Sequence, residues 1–192
     1  PDGEGFYSDD KVSLAHKRLK IIDLSKAGHQ PMFNSDKSKV IIFNGEIYNY
    51  KDLNKIISEK FGIHTKSDTE ILLYMYIEYG SDCLQYISGM FSFAIWDNLK
   101  EEVFIARDPL GIKPLYYNFS NNKLSFCSEL RPLMKSKQFD CKLNYEAINT
   151  YLMTGSFHEP DTVIDNISLL KSGHYIIFNK NSFFIKDYSK KN

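Results

Sequence analysis

The chain has 192 residues, enough for one domain with a real core, and its 43% hydrophobic and 15% aromatic content excludes a disordered polymer. Lys plus Arg number 24 and Asp plus Glu number 24, so no net field draws the chain to nucleic acid or to an anionic membrane surface, and small-molecule chemistry is the class left. No apolar run approaches the roughly 20 residues that span a bilayer, and the opening Pro1-Asp2-Gly3-Glu4-Gly5 is not a secretory signal; the chain reads as cytoplasmic.

In chain order, residues 12–16 and 18–22 are rich in branched apolar side chains and predict strands. Residues 40–43 form a continuous apolar strand, and the following Asn44-Gly45 predicts a tight turn that closes it. Leu53, Ile56, Ile57 and Phe61 fall at helical spacing and predict a helix over 51–61 stopped by Gly62. A second helix, over 70–79, follows the capping box Ser67-Asp68-Thr69-Glu70 and ends at Gly80. Strands are expected at 90–96, 103–106, 115–118 and 124–127, joined as hairpins, then a helix around 145–153 and a last strand pair at 174–178 and 183–185. The polar run 186–192 reads as the start of a linker. No internal repeat is present, so one mixed α/β domain with largely antiparallel sheet is expected.

Cys83, Cys127 and Cys141 are odd in number and widely spaced, which fits neither a disulfide framework nor a zinc site; they read as reduced thiols, and no metal site is expected. The most suggestive segment is Phe43-Asn44-Gly45-Glu46, a polar stretch after a buried strand. The Asn44 carboxamide and the Gly45 N–H could together stabilise an oxyanion, although the dipeptide alone is read first as hairpin closure. Arg18 could hold a carboxylate through its planar fork or be a surface arginine. Glu46 and Asp68 could receive an ammonium, Asp68 reading first as a helix-start residue. His16 and His64 receive no role, and Arg107-Asp108 reads as a structural buried ion pair.

Taken together, several ordered motifs closely resemble the class II glutamine amidotransferase domain of asparagine synthetases. They are Pro1-Asp2-Gly3-Glu4-Gly5, His16-Lys17-Arg18-Leu19 with Ile21-Ile22-Asp23-Leu24, Gly28-His29-Gln30-Pro31-Met32, Phe43-Asn44-Gly45-Glu46-Ile47-Tyr48-Asn49, Ser67-Asp68-Thr69-Glu70, Gly89-Met90-Phe91 and residues 107–117. The resemblance implies an α+β fold, the four-layer αββα sandwich of N-terminal nucleophile hydrolases, truncated here at its N-terminus, over residues 1–188 with 189–192 beginning a linker. It implies L-glutamine as the ligand. Arg18 would hold the α-carboxylate, Glu46 and Asp68 the α-amino group, and backbone near Ile22 would line the pocket. Asn44 and the Gly45 amide would form the oxyanion hole.

In that family the nucleophile is an amino-terminal cysteine whose own amino group serves as base. The sequence opens at the Pro-Asp-Gly motif that the family carries downstream of this cysteine, so the chain is expected to be an inactive fragment. No cofactor is expected in this domain; ATP and Mg are expected in a missing C-terminal synthetase domain, the partner that would consume the ammonia. A homodimer is compatible with this reading. The alternatives are a related amidotransferase with a sugar or natural-product acceptor, and a catalytically dead glutamine-binding module. The purine-pathway and glucosamine-phosphate amidotransferases rank lower, because Glu46 after Asn44-Gly45 and the 28–32 run resemble the asparagine synthetase branch.

Overall fold

The computed structural model describes residues 2–19, 23 and 25–189, the side chain of Lys26 apart. A hairpin of β1 (Gly3–Ser8) and β2 (Ser13–Arg18) comes first. After a 3₁₀ turn at Lys26–Gly28 come the short β3 (Met32–Phe33) and the long β4 (Lys39–Ile47). Helices α1 (Tyr50–Ile57) and α2 (Asp68–Tyr79) then precede the β5 (Gly89–Asp97) and β6 (Glu102–Arg107) hairpin. Next are β7 (Tyr116–Ser120), β8 (Lys123–Cys127), α3 (Leu130–Lys135), α4 (Tyr145–Thr154) and β9 (Ser168–Leu169). The last hairpin is β10 (His174–Asn179) with β11 (Ser182–Asp187). All pairings among these strands are antiparallel.

The central sheet has the order β11-β10-β6-β5-β4-β3, and strict alternation of its side chains makes two cores. Ile41, Phe43, Phe91, Phe93, Ile95, Phe104 and Tyr175 face α1 and α2, where they pack on Leu53, Ile57, Leu72 and Met75. Phe104, fully buried, stacks on Tyr76 at 5.1 Å between ring centroids. Each such side chain contributes about 1.5–3 kcal/mol of burial free energy. The opposite residues, Val40, Ala94, Trp96, Val103, Ile105 and Ile176, meet Leu14 of β2 and Leu115 and Tyr117 at β7. The second β layer is therefore the β1-β2 hairpin together with the β8-β7-β9 sheet. Its far side packs Tyr116 and Cys127 against Leu130 and Leu133 of α3. Helices, sheet, sheet and helices stack in that order, as the αββα expectation requires.

Several expectations are corrected. Asn44-Gly45 is not a turn: β4 runs straight through it and pairs with β5 as far as Ile47↔Gly89. Glycine is needed there for a different reason, since a Cβ on Gly45 would lie 2.1 Å from the Met90 carbonyl oxygen and 2.7 Å from Phe91 Cα. Its missing side chain lets two strands close together. Helix α1 stops at Ile57, before Phe61 and Gly62. The capping box is half formed: Ser67 Oγ accepts from Thr69 N–H at 3.2 Å, but Glu70 turns back to accept from the backbone of His64 and Thr65. Strand β2 ends at Arg18, and the rest of the expected 18–22 strand falls largely outside the described residues. Arg107 and Asp108 do not pair with each other. Arg107 bonds Glu159 and the carbonyls of Gly111, Lys113 and Leu170, whereas Asp108 accepts from the N–H groups of Phe91, Leu110, Ile112 and Lys113. Both brace the 107–114 loop, a structural role as expected.

Candidate active site

The candidate residues converge on one edge of the central sheet. Strand β3 pairs with β4 at Phe33↔Val40 and Met32↔Ile41, and among the described residues no strand pairs with the outer edge of β4 past Ile41. The Phe43 N–H donates outward to Gln30 Oε1 at 2.6 Å, and the Phe43 carbonyl accepts from His16 Nε2 at 3.0 Å. In a pleated strand every second residue repeats that direction. Ile47 confirms the phase, its N–H donating to Asp68 Oδ2 at 3.0 Å. Gly45 stands between them, so its N–H and C=O point out of the same open edge. The side chains of Asn44 and Glu46 point instead to the β2 side of the sheet, in phase with Val40 and Ile42.

Asp68 opens α2, which places its carboxylate at a helix N-terminus as well as on the β4 edge. It is only 5% exposed, and its pKa is raised from the ordinary 3.8, first by burial and in part by the nearby negative charge of Glu46.

Arg18 ends β2 on the inward face that also carries Leu14 and His16. Its guanidinium lies over Gly28, where a Cβ would come within 2.2 Å of Nη2, and donates to the carbonyls of Asp23 and Ser25, the latter at 3.0 Å. Among the described residues these carbonyls take two of its five N–H donors and hold its place. Asp23 in turn accepts from the Lys66 N–H at 3.2 Å, tying this loop to the segment leading into Asp68. Ile22 lies outside the described residues.

Two residues at this edge escaped the sequence reading. Gln30 is buried and bridges the Phe43 N–H to Thr69 Oγ1 at 3.2 Å, locking β4 to the start of α2. His16, to which no role was given, bonds the Phe43 carbonyl; a carbonyl only accepts, so Nε2 carries the hydrogen. Burial lowers the His16 pKa below 6.5, which favours the neutral ring. Gln30 sits in a motif visible in the sequence, but nothing there shows which backbone group an amide will meet.

None of the cysteines is placed at this edge. Cys83 is buried in the first core, and burial pushes its thiol pKa far up. Cys127 faces α3, and Cys141 lies beside the Met134 and Phe139 carbonyls. Among the described residues no cluster of His, Cys, Asp and Glu is arranged to hold a metal ion, and no helix is long and apolar enough to cross a membrane.

A four-layer α+β sandwich of this kind is the fold of amidotransferases of the N-terminal nucleophile hydrolase type. Among solved structures, the glutamine phosphoribosylpyrophosphate amidotransferase of Bacillus subtilis, complexed with ADP and GMP, superposes with a TM-score of 0.63 at 18% identity, over 93% of this chain and 35% of that one. The sequence model of the family described as glutamine amidotransferase domain matches residues 1–189, and the chain belongs to that family. It is 35% identical to a putative glutamine-hydrolysing asparagine synthetase 2 of Methanocaldococcus jannaschii, over 98% of this chain and 40% of that protein. It is 37% identical to the glutamine-hydrolysing asparagine synthetase 1 of Bacillus subtilis, over 100% of this chain and 30% of that protein. The chain thus spans well under half the length of these relatives.

Proposed function

We propose that the edge of β4 binds L-glutamine and supports hydrolysis of its side-chain amide, and that the whole protein delivers the ammonia to an ATP-dependent amidation of aspartate to asparagine. The observation that carries the reading is the outward-facing Gly45 N–H, flanked on one edge by the Phe43 clamp and by Asp68. An amide carbonyl lying along that edge meets the Gly45 N–H as a strand would, and the Asn44 carboxamide offers a second donor to the oxyanion as the carbon becomes tetrahedral. Asp68 and Glu46 receive the α-ammonium and Arg18 the α-carboxylate through its guanidinium, while the part expected of Ile22 falls outside the described residues.

The reaction needs a thiol that attacks the amide carbon, a base for its proton, an acid for the leaving ammonia, and then a water that cleaves the resulting glutamyl thioester to glutamate and free thiol. In this reading an amino-terminal cysteine supplies the thiol and its α-amino group moves the proton. Cys83, Cys127 and Cys141 lie away from this edge, so none of them is given the role. ATP and Mg act in a synthetase domain of the longer protein. The site is tested in the full-length protein by steady-state glutaminase kinetics of Arg18→Ala, which should raise KM for glutamine with little change in kcat. An unchanged KM would remove Arg18 from the site.

A further inference from the structure

We infer that Ser92 is a positioning residue for Asn44: its buried hydroxyl donates to Asn44 Oδ1 when the site is engaged and so turns the carboxamide N–H groups toward the reacting amide. The inference rests on the reading of Asn44 as an oxyanion donor. A carboxamide flipped the wrong way presents lone pairs to a developing negative charge, so this role demands a device that fixes the flip. A hydrogen-bond donor placed against Oδ1 is such a device and leaves both N–H groups free for the oxyanion.

Register supplies one candidate. Asn44 of β4 lies directly opposite Ser92 of β5, and Ser92 lies opposite Arg107 of β6, so the three side chains form one row across the sheet. Ser92 shares the face of Ala94 and Trp96, the same face that Asn44 shares with Val40. Directly opposite residues have Cβ atoms about 4.5–5.5 Å apart, which a serine hydroxyl and an asparagine carboxamide can bridge. Ser92 is 2% exposed, and its Oγ is buried with no hydrogen-bond partner. Among the described residues the Asn44 carboxamide makes no hydrogen bond either. The other neighbour in the row is committed elsewhere, since the Arg107 guanidinium is turned onto Glu159 and three backbone carbonyls. A desolvated hydroxyl without a partner is costly and uncommon in a native core. Here the residue directly opposite it is the one whose orientation the chemistry requires, and bonds of this kind tighten when substrate binds.

The test is a double-mutant cycle on the glutaminase activity of the full-length protein, with thermal melting of each variant. Ser92→Ala should lower kcat about three- to tenfold at unchanged KM, and should melt no lower than the parent, because the hydroxyl it removes is unbonded in the free site. In the Asn44→Ala background the same substitution should change kcat by less than twofold, since a residue acting through Asn44 has nothing left to orient. An Asn44→Ala variant with normal kcat would refute the oxyanion reading itself. A normal Asn44 effect with no Ser92 effect, or with equal Ser92 losses in both backgrounds, would overturn the positioning role alone.

Discussion

Among the described residues the Asn44 carboxamide makes no hydrogen bond, so its loss should cost catalysis rather than folding. Asn44→Ala is expected to lower kcat by about 10² to 10³, the usual cost of one oxyanion donor, with a smaller change in KM. A kcat within a few-fold of the parent would show that Asn44 serves only the strand. For Arg18, lysine should rescue the alanine variant poorly, because an ammonium cannot span the Asp23 and Ser25 carbonyls and a bound carboxylate together. Asp68 gives the site a pH dependence. Its folded pKa is raised, so the carboxylate is lost as pH falls through that raised value, and KM for glutamine should climb over the same interval. Asp68→Asn should flatten the climb. His16 has the opposite shift. The unfolded ring takes its proton near 6.5 while the folded ring resists it, so its contribution is complete above about pH 6.5 and is lost as pH drops toward the lowered value. His16→Gln should remove that slope from a series of denaturant melts.

Strand β4 sets the geometry of the site, and its glycine is the element's weakest point for substitution. Gly45→Ala would drive a methyl against the Met90 carbonyl and the Phe91 backbone, neither of which can rotate away. The expected loss is at the upper end of about 1–3 kcal/mol in chemical denaturation, together with loss of glutamine binding as the edge shifts. This strand also shows what a sequence can and cannot reveal. Asn44, Gly45 and Asp68 were grouped only through the resemblance, and the dipeptide alone suggested a turn because local propensity records only what Asn-Gly does by itself. The close approach of β5 is a long-range fact. The main helices and hairpins were legible from periodicity. The two-residue β3 and β9, the short α3 and the glycine-rich β1 were not, since each is too short or too polar to show a period and exists only through its neighbours. The carboxylate of Asp108 was visible, yet its four backbone partners depend on the loop it closes.

At the scale of the molecule, hydrogen bonds bring His16, Gln30, Phe43, Ile47 and Asp68 together at one edge of the central sheet, while the three cysteines lie in other parts of the fold. A polypeptide of these 192 residues is therefore expected to release no ammonia from glutamine, and steady release would place a nucleophile where none is assigned. The most direct measurement supplies the full-length protein with glutamine labelled with ¹⁵N in its amide, aspartate and ATP, and follows the label by NMR. The account predicts labelled asparagine formed with ATP cleavage, and its loss in the Asn44→Ala variant. Amide nitrogen that stays in glutamine would contradict it.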